Sequence, residues 1–181
     1  MPAAEAQSRW AALAMLPTPA LLLLGGALIG TDCPPALHAG AWFCGMRQVD
    51  LTGDDRADTI IVRATGRSSD SLQISLTIRV GGKEAWREDW ASSYELVDPP
   101  DFSGTAERDE YLRRRLRGTL EDVKVRGFDR TGYEMMADAP DSLLLREPPR
   151  FEVRFSYGYE TTVVLMWDQA AGRFHGLWSC C

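Results

Sequence analysis

Four aspartates lie between Asp50 and Asp58, in the stretch "DLTGDDRAD". Counted from Asp50, carboxylates occupy positions 1, 5 and 9, Thr52 occupies position 3, and the carbonyl of Arg56 is available at position 7. Hard cations such as Ca²⁺ bind about six to eight oxygen atoms, and this spacing lets one tight loop direct alternate groups inward. The candidate metal ligands are therefore Asp50, Thr52, Asp54, Arg56 and Asp58. A turn without metal is the alternative, because Asp side chains accept hydrogen bonds from neighbouring backbone N–H groups.

The same nine residues resemble the DxNxDGxxD calcium loops of FG-GAP/VCBS-type repeats. The first, fifth and ninth positions match, whereas Thr52 stands where Asn or Asp is usual and Asp55 where Gly makes the sharp turn. The resemblance implies a structural Ca²⁺ site of weakened affinity. An EF-hand is excluded, because Ile61 stands where that loop needs a bidentate glutamate. A propeller is excluded as well, because the motif occurs once in 181 residues.

Four cysteines are the second chemical feature: Cys33 and Cys44 near one end of the chain, and Cys180 and Cys181 at the other. In an oxidising compartment they would form disulfides, and adjacent cysteines pair with each other poorly. We therefore expect a long-range bridge from Cys44 to Cys180 or Cys181. A zinc site with His38 is the alternative, although this spacing fits no common zinc motif.

The N-terminal region predicts the compartment. Residues 11–30 carry no charge, and Arg9 precedes them, which is typical of an export signal. Pro17 and Pro19 divide this run, so a cleaved signal is favoured over an uncleaved membrane anchor, and a lipid anchor at Cys33 is a third alternative. We expect residues 1–32 to be the export signal or anchor and residues 33–181 to form a single globular domain. The protein would be secreted or periplasmic, with membrane contact through the N-terminal segment if that segment is retained.

The charge balance excludes one class of partner. The formal net charge is −6, whereas proteins that bind nucleic acids need a basic surface. Five arginines fall between Arg108 and Arg117, but acidic residues flank and interleave with them. This pattern predicts a solvated helix face, and no nucleic-acid partner.

Residues 49–90 predict sequential strands. In "DSLQISLTIRV" apolar and polar residues alternate, which places Leu72, Ile74, Leu76, Ile78 and Val80 on one face. Glycines 81 and 82 then suit a tight hairpin, so "KEAWREDW" returns antiparallel with two tryptophans on one face. "TIIVRAT" predicts a further strand before them.

The second half predicts one helix and three more strands. Thr105 can cap a helix in which Leu112, Leu116 and Leu120 form one apolar stripe. A long connection containing "SLLL" follows, and "RFEVRFSYGYE", "TTVVLMWD" and "FHGLWSC" read as strands. The expected fold is α+β or mainly β, an antiparallel sheet with one helix packed on it.

Catalytic chemistry has little support in the sequence. His38 and His175 lie in no recognised catalytic motif, and 26 acidic residues make a carboxylate pair possible without predicting one. Trp86 and Trp90 could anchor a partner but are more typical of a core. The sequence therefore favours an exported, disulfide-stabilised, non-enzymatic domain, in which the aspartate loop is either a turn without metal or a structural Ca²⁺ site. The alternatives are a hydrolase using paired carboxylates and a binding or inhibitor module, and the partner is unknown.

Overall fold

The structure is a computed structural model, and it describes residues 29–30, 33–97, 100–127, 151–158 and 160–180. The first sheet contains β1 (Ile29–Gly30), β2 (Phe43–Val49), β3 (Asp58–Thr65), β4 (Gln73–Val80) and β5 (Lys83–Ala91). The second contains β6 (Lys124–Gly127), β7 (Phe151–Tyr157), β8 (Thr161–Asp168) and β9 (Arg173–Cys180). The helices are α1 (Pro35–His38) and α2 (Thr105–Glu121). Both sheets are antiparallel with strands in sequence order, so the predicted α+β, mainly β class is confirmed.

The alternation in β4 builds the inner face of the first sheet. Ile74, Leu76 and Ile78 are fully buried, as the sequence predicts. They pair across the sheet with the buried residues Ala64, Val62 and Ile60 of β3, so both strands present their apolar sets to one side. Register is thus fixed by burial, because a slip of one residue would turn every apolar side chain outward. The predicted hairpin is present at glycines 81 and 82, which have φ of +55° and +80°.

Helix α2 covers part of that inner face. Its leucine stripe is buried, as predicted: Leu112, Leu116 and Leu120. The helix lies close to β2 at Gly45, where an added Cβ would be 2.5 Å from Cδ1 of Leu120. Arg47 of β2 donates to the carbonyls of Leu120 at 3.0 Å and Val123 at 2.8 Å. A cation therefore satisfies carbonyls at the end of the helix, where the helix dipole favours positive charge.

The start of α2 differs from the prediction. Gly104 is the capping residue and Thr105 is the first helical residue, so the predicted Thr105 cap is wrong. Glu107 instead accepts hydrogen bonds from the N–H and the hydroxyl of Ser103, at 2.8 Å and 2.7 Å. These two hydrogen bonds lower the pKa of Glu107. The carboxylate in the first turn thus fastens the chain that enters the helix.

The arginines of α2 also differ from a solvated helix face. Arg108 forms an ion pair with Asp70 at 2.6 Å, and the guanidinium of Arg113 lies 4.2 Å from the ring centre of Trp42. Arg115 pairs with the buried Glu95 at 3.4 Å. The prediction is wrong for these three, because the edges of the leucine stripe lie against neighbouring elements rather than in water.

The second sheet completes the core. Val163, Val164, Leu165 and Met166 of β8 are all buried, which confirms the prediction of a strand that is apolar on both faces. One hydrophobic cluster includes residues of both sheets and of α2. The sheets also meet through polar contacts at Glu95, which accepts hydrogen bonds from Nε1 of Trp90 and from the N–H of Gly158, both at 2.9 Å. The Trp90 ring stacks on Tyr157 of β7 with centroids 4.4 Å apart.

Several predictions concern residues outside the described ranges. Of residues 1–32, which the sequence predicts to be an export signal or anchor, residues 29–30 are described, and they form β1 opposite Arg47 and Met46. The apolar element at residues 142–145 and the residue Cys181 lie outside the described ranges. Among the described residues, no helix has the length and apolar character needed to cross a membrane.

Candidate functional site

A disulfide joins Cys33 and Cys44, with Cα atoms 5.7 Å apart. This pairing shows that the expected bridge from Cys44 to Cys180 or Cys181 is wrong. Helix α1 lies between the two cysteines in the sequence and contacts β2, so the bridge is local and spans eleven positions. The zinc alternative is wrong for the same reason, because the two sulfurs that it needs are bonded to each other. The side chains of Cys180 and Cys181 lie outside the described ranges.

The disulfide fastens a short segment to the outer face of the first sheet, the face opposite the main core. Cys33 and Cys44 are 7% and 5% exposed and pack with the buried Ile61 of β3. Leu37 and Met46 are half-buried against this small cluster. The outer face thus has an apolar contact of its own, which would be exposed if the segment did not cover it.

Arg63 of β3 holds the same segment at a second point. Its Nε donates to the carbonyl of Leu37 at 3.1 Å, and its Nη2 donates to the carbonyl of Ala39 at 2.9 Å. These carbonyls belong to the end of α1, where backbone oxygens have no partner within the helix. The segment is therefore fixed covalently at one end and by a guanidinium at the other.

Between this segment and β5 lies a groove of about 360 Å³, which we call the arginine groove. Its wall is formed by Ala36 and Leu37, and its floor by Ile61, Ser75 and Thr77. The floor residues belong to neighbouring strands that pair Ile61 with Thr77, so the groove runs across β3 and β4. Its volume is at the lower end of the range for small-molecule sites.

Four charged residues also line the groove: Arg63, Arg79, Glu84 and Arg87. Arg87 forms two hydrogen bonds to Asp89, at 2.8 Å and 2.9 Å, and this contact raises its pKa. The side chain of Arg79 has no hydrogen bond or ion pair with any residue in the part of the chain that the structure describes, and its backbone is paired within the sheet. Three guanidinium groups against Glu84 and Asp89 leave one net positive charge, although the chain carries −6 overall. The groove therefore favours a ligand with negative charge.

The aspartate loop is organised by its own backbone. Asp50 accepts hydrogen bonds from the N–H groups of Thr52 and Gly53 through Oδ1, at 3.1 Å and 2.6 Å, and from that of Asp55 through Oδ2, at 2.9 Å. Gly53 has φ of +74° and Asp55 has φ of +63°, so Asp55 adopts the left-handed conformation for which calcium loops use Gly. Asp54 accepts a hydrogen bond from the N–H of Arg56 at 3.0 Å.

Asp58, at the end of the aspartate loop, is buried and bonds back to the start of the loop. It is 3% exposed, and its Oδ2 accepts a hydrogen bond from the N–H of Leu51 at 3.0 Å. Burial raises the pKa of Asp58, the Leu51 hydrogen bond opposes that rise, and the charges of Asp54 and Asp50 raise the pKa further. The carboxylate is thus held in a place where its ionisation is disfavoured.

The donors of the aspartate loop do not form a preassembled metal cage. No group of three or more His, Cys, Asp or Glu side chains within the described residues is arranged to hold a metal ion. The oxygens of Asp50 already accept three backbone hydrogen bonds, which is the geometry of a turn. Calcium binding by Asp50, Thr52, Asp54, Arg56 and Asp58 stays a prediction.

The other residues considered for chemistry neither line the arginine groove nor belong to the aspartate loop. Trp90 is 4% exposed and Trp86 is half-buried against the core cluster, so they are core residues as expected and offer no exposed anchors. His175 lies 3.4 Å from Asp168 in the second sheet. His38 is in α1 and does not line the arginine groove.

The sequence analysis missed the arginine groove. Its charged residues come from three strands and are dispersed from residue 63 to residue 87, so no local motif marks them. The available signal was the polar half of the alternation: Ser75, Thr77 and Arg79 occupy one face of β4, and Arg63 and Arg87 lie beside them on the adjacent strands. Comparison with protein-family models, with curated proteins and with solved structures finds no match for this chain.

Proposed function

We propose that this protein is an exported, disulfide-stabilised domain that acts by binding and not by catalysis. The observation that carries the proposal is the buried bridge between Cys33 and Cys44. Disulfides persist in oxidising compartments and are rare in the cytosol. The uncharged stretch at residues 11–30 supports the same location, either secreted or periplasmic or held at a membrane by that segment.

Non-reducing mass spectrometry of the protein from its native host tests the export. Blocking free thiols before digestion with chymotrypsin, which cleaves after large apolar residues such as those between the two cysteines, should yield a peptide pair linked through Cys33 and Cys44. The N-terminal peptide of the same sample reports cleavage, retention or lipidation of residues 1–32. Free thiols at both positions, together with recovery in the cytosolic fraction, would overturn the proposed location.

The chemistry of the arginine groove supports binding. Guanidinium and hydroxyl groups hold a ligand by charge and hydrogen bonds, and aliphatic side chains add apolar contact. The hydrolase alternative needs two carboxylates facing one cleft, whereas Glu84 stands in this groove against three arginines. The inhibitor alternative relied on exposed tryptophans, and Trp90 is buried.

We also propose that the aspartate loop binds Ca²⁺ weakly and structurally. The support is electrostatic, because the charges of Asp50 and Asp54 disfavour ionisation of Asp58, and a divalent cation would reverse that effect. Calorimetric melting with Ca²⁺ and with EDTA tests it, with Mg²⁺ as the matched control. A rise of the melting temperature with Ca²⁺ alone supports the site. An unchanged melting temperature removes it and leaves a turn.

A further inference from the structure

We infer that the arginine groove binds a small aliphatic oxyanion, meaning a carboxylate or a phosphate monoester joined to a short hydrocarbon chain. This inference deepens the binding role proposed above and gives it a site and a ligand class. It does not require export, since the groove is a property of the folded domain with its disulfide formed, and the oxidised protein can be tested after purification.

The side chain of Arg79 is available to bind an oxyanion. The side chain is exposed on the outer face of β4, lines the groove and has no partner among the described residues. Arg63 and Arg87, by contrast, are held by the carbonyls of α1 and by Asp89. The guanidinium of Arg79 is therefore available at one end of the groove, with that of Arg87 fixed on the adjacent strand, which suits an oxyanion that accepts several N–H groups.

The net charge of the groove limits the charge of the ligand. Glu84 faces Arg79 across the β4–β5 pairing and lines the same groove, so it opposes an incoming anion. Counting Asp89, the groove has one positive charge in excess. A carboxylate, with one negative charge, would neutralise the site, and a phosphate monoester, with about 1.5 to 2 negative charges at pH 7, would exceed this by about one charge or less. A highly charged polyanion would leave much greater repulsion with both carboxylates.

The aliphatic residues of the groove suit a ligand with a short hydrocarbon chain. Ala36, Leu37 and Ile61 provide an aliphatic wall and floor at one side of the groove. Arg63 lies opposite Ser75, and Ser75 and Arg79 are four residues apart on β4, which corresponds to about 13 Å along a strand. A head group near Arg79 therefore leaves room for a short hydrocarbon chain along Ile61 towards the wall.

The wall of the groove is pre-organised in the absence of ligand. The Cys33–Cys44 bridge and the hydrogen bonds of Arg63 hold the helical turn that carries Ala36 and Leu37. Such pre-organisation reduces the ordering cost of binding. A site open to solvent with few apolar atoms still binds a small probe weakly, with a dissociation constant of about 1 mM.

The test is an NMR titration of the oxidised, purified protein with four probes of the same chain length: hexanoate, hexyl phosphate, hexan-1-ol and hexylammonium. We expect saturable shifts of the amides of Ile61, Ser75 and Thr77 with one or both anions. The anion that binds more tightly identifies the head group. Equal binding of the alcohol, or no saturable shift with either anion up to about 10 mM, would overturn the inference.

Three variants of the groove and one control variant test the direction of the effect. Arg79→Gln should weaken anion binding about fivefold, and Glu84→Gln should strengthen it, because the two substitutions remove opposite charges. Arg173→Gln is the matched control, since Arg173 is exposed on β9 of the other sheet. Ala36→Trp should block the groove without changing any charge. Unchanged affinity in Arg79→Gln and in Ala36→Trp would exclude this groove as the site.

The same titration separates this inference from the proposed function. A protein that is exported with its bridge intact but binds no anion retains the proposed location and loses the groove. A protein that is recovered from the cytosol with free thiols, but binds hexanoate in the groove once its bridge is oxidised in vitro, retains the groove and loses the proposed location.

Discussion

The aspartate loop and the arginine groove are both dense in charge, and they use that charge in opposite ways. In the loop, the carboxylates of Asp50, Asp54 and Asp58 accept hydrogen bonds from backbone N–H groups within the same turn. In the groove, guanidiniums from separate strands face one space, and the side chain of Arg79 has no partner within the described residues. The carboxylates of the loop stabilise the conformation of their own turn. The guanidinium of Arg79 in the groove is available to a ligand.

The difference follows from how each region is assembled. The loop needs nine consecutive residues, so its structure forms with the turn itself. The groove needs three paired strands and a covering segment that is held by Cys33 and Cys44. We therefore expect substitutions that loosen the segment to damage the groove and to spare the loop.

The largest effect should come from removing the disulfide. In the double variant Cys33→Ala/Cys44→Ala, we expect the free energy of unfolding to fall by about 3 kcal/mol, the chain-entropy value for a bridge spanning eleven positions. Urea denaturation measures this loss. Anion binding should disappear, while the amide shifts of Thr52 and Gly53 in the loop should stay unchanged. Shifts that change equally in both regions would show that the segment is not specific to the groove.

The second largest loss of stability should come from a substitution in the aspartate loop. Asp50→Ala removes the acceptor of three backbone N–H groups, so we expect a loss of about 1 to 2 kcal/mol in the free energy of unfolding. Asp54→Ala is the matched control, because Asp54 accepts a hydrogen bond from one backbone N–H, that of Arg56. Urea denaturation of both variants gives the comparison. Equal losses would show that the hydrogen bonds of Asp50 do not determine the turn.

Much of the fold could be predicted from local periodicity. The alternation around Ile74, Leu76 and Ile78 and the leucine stripe of α2 report burial directly, because each element places one face against a core. The hairpin at glycines 81 and 82 followed from their tolerance of positive φ. These features depend on neighbours in sequence, and the structure confirms them.

The features that the sequence did not predict depend on contacts between distant residues. The bridge between Cys33 and Cys44 depends on how α1 turns the chain, which the cysteine spacing does not report. Arg113 and Arg115 look solvated in sequence because their partners, Trp42 and Glu95, belong to other elements. The groove was missed for the same reason, and the aspartate loop was noticed because its charges are consecutive.

A smaller effect should separate the two attachments of the covering segment. Arg63→Gln removes the hydrogen bonds to the carbonyls of Leu37 and Ala39, and we expect a loss of about 1 kcal/mol. Hydrogen exchange of the Ala39 and Ala41 amides, which bond within the turn, should become faster. Arg79→Gln is the control, because Arg79 makes no such bond, and exchange there should match the wild type. Unchanged exchange in Arg63→Gln would mean that the disulfide alone holds the segment.

The smallest expected effect is the pH dependence of the stability of Asp58→Asn relative to the wild type. It is also the most specific test of the aspartate loop. Because burial raises the pKa of Asp58 above the usual 3.8, ionisation costs more in the folded than in the unfolded protein. This cost is absent well below pH 3.8, grows as the pH rises through the range of the two pKa values, and is complete at neutral pH. Asparagine keeps an oxygen for the Leu51 N–H and removes the charge, so the variant should gain stability relative to the wild type as the pH rises, by less than about 1 kcal/mol at pH 7.

Denaturation curves of the wild type and of Asp58→Asn from pH 3 to pH 7, in EDTA, measure this difference. If the variant is the less stable protein at pH 7, the Asp58 carboxylate stabilises the loop and the cost of its burial is outweighed. Repeating the series with Ca²⁺ tests for a bound cation. A bound cation would stabilise the wild type and leave the stability of the variant unchanged. The loop would then resemble the groove, as charge held ready for a ligand, and the contrast between the two regions would disappear.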